Sequence, residues 1–385
     1  MARIFRLPLV AASLFFALTL PLAAQDRAAP LRAMLQALPM SMLDPVDGSH
    51  AEITFGDSEA ASTVIAQALG RRLIAAAIGQ ATTPFLMDFD SPIGPMLRVA
   101  EPDFGRAAYM AEPEGWTPLL GFGADDIRQM LSVRQLSKPG VIIRLDPALF
   151  SAIGATLVAN GYAPLALGKD PAFARGADDY GMDINGRNVE DPFGGELGRS
   201  SRVALLQEGL LLQAAGLPEL RMLTTRDSAM LGDAPLMQSL LTALDDPAAG
   251  SGAILRAMVF PTPFLLTATD PAPSGLRMGI LADISDGIQV HATLALAYDS
   301  LAEAEAAAAA LPQRWAEVPS RPDGPSYADL TGQTPVLTVT GEGPAVLLLT
   351  LTDTASFANF NEVNPLYDRL IGGVFSGGMT ILSAD

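Results

Sequence analysis

The chain has no cysteine, two histidines, two tryptophans, and lysine only at Lys138 and Lys169. Without a thiol, disulfides, thiolate metal sites and cysteine nucleophiles are excluded. His50 precedes a strand pattern and His291 lies inside one, and neither has a recognisable nucleophile beside it in sequence, so neither predicts acid–base catalysis. The patterns G-x-S-x-G, S-x-x-K and H-E-x-x-H are missing, and DFG at Asp103 to Gly105 comes without the other kinase signatures.

Positive charge is scarce as well. The chain carries 24 Lys and Arg against 42 Asp and Glu, a formal charge of −18. Such a field repels polyanions, so nucleic acid is not an expected partner. The same surplus keeps an exported protein in solution. Long apolar runs are missing beyond the amino terminus. The uncharged run Leu73 to Met87 is interrupted by Gln80 and Pro84, and Leu370 to Ala384 is short and glycine-rich, whereas a spanning helix needs roughly 20 apolar residues. No membrane span is expected.

What is present starts at the amino terminus. Arg3 and Arg6 precede an apolar stretch from Leu7 to Leu22, followed by Ala23 and Ala24. This is the layout of a signal peptide, with cleavage expected after Ala24. An uncleaved anchor is the other reading, and the short stretch with Pro8 and Pro21 argues against it. Abundant alanine and arginine with little lysine fit a GC-rich bacterial genome. The expected location is therefore periplasmic or secreted.

Length predicts two domains after the signal peptide at 1–24: an N-terminal α+β domain over 25–246 and a C-terminal α+β domain over 252–385. The seam is DDPAAGSG, Asp245 to Gly252. The fold class expected is α+β, with antiparallel sheets and helices on one face. In the first half, AEITFG (Ala51 to Gly56) alternates as a strand, and Asp57 or Ser58 caps a helix reaching about Ile78. Residues 126–136 and 140–145 read as an antiparallel pair joined at Ser137 to Pro139. Asp146 and Pro147 then open a helix that Asn160-Gly161 closes. The order strand, helix, strand, strand, helix, strand is that of the ferredoxin-like split βαβ. A phosphate site on this unit is not expected, because Leu145-Asp146-Pro147 replaces the glycines that would let phosphate reach the amides.

In the second half, LRMGILADI and IQVHATLALAY form a hairpin around Ser285 to Gly287. A helix follows, with Ser300 and Glu303 at capping-box spacing. TPVLTVTG and AVLLLTLTD pair as strands, a short helix lies near Asn364 to Ile371, and VFSGGMTILS reads as a strand.

Two polar patterns carry candidate chemistry, both within Asp178 to Arg202. Asp183, Asn185, Glu190 and Asp191 offer hard oxygen ligands to a metal such as calcium, although Arg187 and Gly186 break the EF-hand spacing. Arg199, Ser200, Ser201 and Arg202, among glycines, offer charge-assisted donors to a small anion. The alternative for both is a turn-rich loop whose arginines pair with surface acids. Met87 to Asp90 places two carboxylates in a D-x-D pattern that reads as a solvated turn. The sequence identifies no particular cofactor and leaves that question open. The functional expectation is a non-enzymatic module that binds a ligand or an envelope protein, and the alternative is a hydrolase or metal-assisted enzyme with its site near residues 178–202.

Overall fold

The computed structural model describes residues 26–44, 51–77, 96, 99–100, 116–135, 138–176, 178–225, 229–261, 275–321, 323–341, 344–355, 364–377 and 380–382. The expected signal peptide, His50, the D-x-D at Met87 to Asp90 and the DFG at Asp103 lie outside the described residues.

Twelve described strands form one antiparallel sheet in the order β11-β12-β10-β9-β8-β1-β2-β3-β7-β6-β5-β4. In chain order they are β1 (Glu52–Asp57), β2 (Gln129–Gln135), β3 (Lys138–Arg144), β4 (Ala163–Leu165), β5 (Ala172–Arg175), β6 (Ser201–Leu206), β7 (Leu210–Ala214), β8 (Ala253–Pro261), β9 (Leu276–Ser285), β10 (Gln289–Tyr298), β11 (Val336–Thr340) and β12 (Ala345–Thr354). The helices are α1 (Ala29–Leu35), α2 (Ser58–Ala77), α3 (Thr117–Leu120), α4 (Phe150–Ala159), α5 (Leu217–Thr224), α6 (Pro235–Asp245), α7 (Leu301–Glu317), α8 (Tyr327–Thr331) and α9 (Pro365–Gly377). The protein is an α+β fold.

Local chemistry sets many of these boundaries. Asp57 Oδ1 accepts the Ala60 amide at 2.8 Å and starts α2. Asp146 Oδ1 accepts the Ala148 amide at 2.9 Å and opens a 3-10 turn, Pro147–Leu149, that runs into α4. Ser300 caps α7: the Glu303 amide donates to Ser300 Oγ at 3.3 Å, and the hydroxyl donates to Glu303 Oε2 at 2.8 Å in place of the backbone amide of a full capping box.

Side chains alternate across the strands, so each strand feeds two cores. Ile53, Leu131, Ile280 and Ala295 pack beneath α1, α5 and α6. Leu281, Leu294 and Leu349 face the other way, under α7, α8 and α9, and Ile143, Val203 and Leu211 do the same under α3 and α4. The helices therefore cover both faces of the sheet, not the one face expected. The strands are apolar on both sides, which is the pattern of a doubly covered sheet.

The split βαβ element order is present, but the pairing differs from a ferredoxin-like sheet. β1 bonds β2 on one edge and β8 on the other, while β4 sits on β5 at the far edge. Residues 374–377 of the expected final strand continue α9, and Thr380–Leu382 form a 3-10 turn. Its valine and phenylalanine favour strand locally, but Tyr367 and Leu370 one turn earlier commit the segment to helical packing against the sheet.

The seam Asp245 to Gly252 joins α6 to β8 and is tied to both halves. Thr293 Oγ1 donates to Ala249 O at 2.6 Å and Thr350 Oγ1 to Ala248 O at 2.9 Å. Arg27 donates to the carbonyls of Gly250, Asp245 and Asp246, and the Ala28 amide to Asp245 Oδ1 at 2.9 Å.

Candidate functional site

A cleft of about 980 Å³ opens where the first turn of α2 meets the seam and the β9–β10 turn. Apolar side chains such as Ala60, Val64 and Ile254 make much of its wall, and Asp57, Ser251, Asp286 and His291 supply polar groups. Each of these four is held by secondary structure or its immediate ends.

Asp57 is the last residue of β1 and is 2% exposed. Its Oδ1 caps α2, and its Oδ2 accepts from Gln129 Nε2 at 3.2 Å, from the residue opposite it in β2. Burial pushes its pKa up to about 6, against the lowering effect of the Ala60 amide and Gln129.

His291 faces the cleft from β10 and is 5% exposed. Burial lowers its pKa below the ordinary imidazole value, so the ring is neutral at neutral pH. Its Nδ1 lies 2.9 Å from Thr352 Oγ1 and its Nε2 lies 3.3 Å from Ser251 Oγ. Ser251 donates to Asp286 Oδ2 at 2.8 Å, while Asp286 Oδ1 accepts the Ile288 and Gln289 amides at 2.8 Å each. Burial opposes ionisation of Asp286, but the amides and the serine hydroxyl outweigh it and hold the carboxyl below its ordinary value.

The approach of His291 depends on Gly250. A Cβ there would fall 2.4 Å from His291 Cγ, and φ of 116° is a conformation that side chains resist. Gly252 plays the same part against the β9–β10 turn, where a Cβ would lie 2.1 Å from Ser285 O. The sequence reading placed Ser251 in a linker and set His291 aside. The available signal was the pair of glycines flanking a serine just before an apolar strand.

Behind His291 runs a second polar network. Asn364 Nδ2 donates to the His291 carbonyl at 3.1 Å and to Asp283 Oδ1 at 2.7 Å. Arg256 bridges Asp283 at 3.0 Å and Asp368 at 2.9 Å, with its guanidinium 4.4 Å from the Tyr367 ring centroid. Burial opposes the Arg256 charge, but Asp283, Tyr367 and Asp368 outweigh it and raise the pKa.

The predicted site residues lie elsewhere, in the loop between β5 and β6 and at the start of β6 itself, where Ser201 and Arg202 are the first two residues. Arg202 is 4% exposed; its Nη1 donates to Arg175 O at 2.7 Å and Ser201 O at 3.2 Å, and its Nη2 lies 3.4 Å from Asp179. Ser200 Oγ donates to Ala215 O at 3.0 Å, and Ser201 Oγ accepts from Gln213 Nε2 at 3.2 Å. Arg199 is half-buried beside Gly194. The side chains of Ser200, Ser201 and Arg202 thus bond to the protein. Asp191 is buried, pairs with Arg175 and accepts the Phe193 amide. Asp183 accepts the Asn185 amide at 3.1 Å, and Glu190 is an exposed neighbour of Asn188. Among the described residues no group of three or more His, Cys, Asp or Glu is placed to hold a metal ion.

No protein-family model matches the chain, and no curated protein matches it. Solved structures with a match include two crystal forms of TP0453. Form I aligns with a TM-score of 0.34 and 9% identity over 88% of this chain and 96% of that one. Form III gives 0.33 and 8% over 87% and 97%. Likeness at this level identifies neither a family nor a function.

Two predictions follow from the geometry. The folded-state pKa of Asp57 lies above the unfolded value of about 3.9, so the folded chain keeps the proton between about pH 4 and 6 where the unfolded chain loses it. Stability from this group is full below about pH 4 and is lost as pH rises through 6, by up to about 3 kcal/mol. Asp57→Asn retains a capping oxygen without the charge, and Gln129 can turn its amide to match. Denaturant titrations should show the variant more stable than the parent at pH 7 and equal to it at pH 4.

For the arginines, Arg202→Ala should lower stability by about 1.5–3 kcal/mol through its lost charged hydrogen bonds, whereas Arg199→Ala should stay within about 0.5 kcal/mol. A melting-temperature rise of the parent with phosphate or sulfate, abolished by Arg199→Ala, would instead support the anion cradle.

Proposed function

We propose that the protein is an exported, non-enzymatic binding module that takes a small molecule into the cleft beside Asp57, Ser251 and His291. The observation that carries this reading is the cleft itself, a mostly apolar recess with a few fixed polar groups, which is how small-molecule sites are generally built. Among the described residues Asp26, Asp57, Glu59 and Asp286 line it against the guanidinium of Arg27 alone, which is engaged by three carbonyls. This balance favours an apolar ligand with a neutral or cationic polar end.

Export rests on the first 24 residues of the sequence, and no helix among the described residues is long and apolar enough to cross a membrane. The division at Asp245 to Gly252 belongs to the same proposal: two folding units share one sheet, and the ligand bridges them.

The Ser251–His291 contact favours a second reading, a serine hydrolase. Against it, the serine hydroxyl is donated to Asp286, and His291 Nδ1 faces a hydroxyl where a carboxylate would hold the ring for proton abstraction.

One set of measurements on protein recovered from the periplasm separates these readings. Intact mass should begin at Gln25. A neutral naphthylamine dye should brighten on binding, and Ala60→Trp, which fills the mouth of the cleft, should abolish this without lowering the melting temperature. Dye binding unchanged by Ala60→Trp removes the cleft as the seat. Labelling of Ser251 by a fluorophosphonate, lost in His291→Gln, would replace the binding module with the hydrolase.

A further inference from the structure

The loop between β5 and β6 concentrates exposed apolar side chains. Eleven large hydrophobic residues are exposed among the described residues, and five of them, Tyr180, Met182, Ile184, Val189 and Leu197, fall within this one loop. Met182 at 64% and Ile184 at 67% equal or exceed every other exposed hydrophobic in the chain. Single exposed hydrophobics need no explanation, but a cluster marks an interaction surface.

The loop displays these residues by construction. The Asp183 amide donates to Gly198 O at 2.9 Å, Ser200 N to Gly181 O at 2.8 Å, and Asn188 N to Gly195 O at 2.7 Å. These bonds bring residues 181–184, 188–189 and 195–198 side by side, and with them the exposed side chains of Met182, Ile184, Val189 and Leu197 are carried on one small loop. The base is anchored by Phe193, fully buried against Phe122, and by the Asp191–Arg175 ion pair. Gly198, at φ 60°, lets the Asp183 backbone pass where a Cβ would lie 1.9 Å from its carbonyl oxygen. A loop fixed in this way loses little conformational entropy when a partner covers it.

The rim of the patch identifies the occupant. Asp178, Asp179, Asp183 and Glu190 are exposed around it, against one exposed cation, Arg187, among the described residues 178–198. A second copy of the chain would bring the same acidic rim and a formal charge of −18, and an anionic bilayer would be repelled as well. We propose that the loop 178–198 is a docking surface for a basic, amphipathic polypeptide segment, with apolar side chains over Met182 and Ile184 and lysines or arginines on the acidic rim. This surface is separate from the cleft and does not depend on its ligand.

The test titrates the full mature protein with a synthetic peptide of alternating leucine and lysine at about 0.15 M salt, where long-range attraction is largely screened. Met182→Ser combined with Ile184→Ser should weaken binding about tenfold while leaving the melting temperature unchanged, because both side chains are exposed. A peptide with glutamate in place of lysine should not bind. Equal binding of the lysine peptide to parent and double variant would reduce the effect to net charge and overturn the proposal, as would failure of that peptide to bind. Loss of binding to anionic vesicles in the double variant would make the surface a membrane contact, and conversion of a dimer to a monomer in sedimentation would make it a self-interface; either result also overturns it.

Discussion

The fold depends on six residues, Glu52–Asp57, whose pairing partners lie far away in sequence. β1 lies between β2 and β8, with Ile53 opposite both Val133 and Val259 and Phe55 opposite both Leu131 and Ala257. Without it the sheet would part into β2 to β7 on one side and β8 to β12 on the other, each with a long bare edge that invites wrong pairing. The strand also fixes the entrance of α2. Gly56 permits the close approach of Val99, since a Cβ there would fall 2.3 Å from the Val99 carbonyl oxygen. Asp57 ends the strand, caps the helix and lines the cleft, so the residue that closes the sheet is also part of the candidate site.

A buried ion pair supports the other wall of that site. Asp283 is fully buried and Arg256 partly so, and together with Asn364 and Asp368 they tie β8 and β9 to α9. Desolvation makes such pairs poor sources of net stability. Their geometric demands are strict, however: Asn364 must reach both Asp283 and the His291 carbonyl. The network therefore sets where α9 sits and keeps the His291 backbone in place, whereas the apolar contacts of Leu366 and Leu370 alone would permit sliding along the sheet.

Local signals made much of the fold legible in sequence. Alternation marked β1, Asp146-Pro147 and Ser300 marked helix starts, and the apolar runs of β9, β10 and β12 marked strands. Three features needed distant residues. The second covered face arises because consecutive residues such as Leu281 and Ala282, which point to opposite faces, are both apolar, a pattern that marks a buried strand without naming what covers it. The joining of the halves rests on β1 pairing with β8 across some two hundred residues, for which no local pattern exists. The polar loop drew attention through its composition, but its buried members Asp191 and Arg202 find their partners in Arg175 and the backbone, which no spacing rule could reveal. For the cleft, Asp57 was readable as a cap and Ser251 as part of a turn. Their shared cavity follows only from β1 lying next to β8.

The seam joins the composition of a linker to the packing of an ordered segment. DDPAAGSG has the residues of a linker, and its glycines do adopt conformations that other residues avoid. Here those conformations serve close packing: Gly250 admits the His291 ring, Gly252 admits the β9–β10 turn, and the carbonyls of Gly250, Ala249 and Ala248 accept from Arg27, Thr293 and Thr350. A ligand in the cleft would touch α2 from the first half and the seam and β10 from the second. Its binding energy would then favour the state in which the halves are joined, because anything that binds only the assembled surface stabilises it by mass action. On the proposed reading, occupation of the cleft would stabilise the joined sheet, and Asp57, which ends β1 and lines the cleft, would sit where the two effects meet.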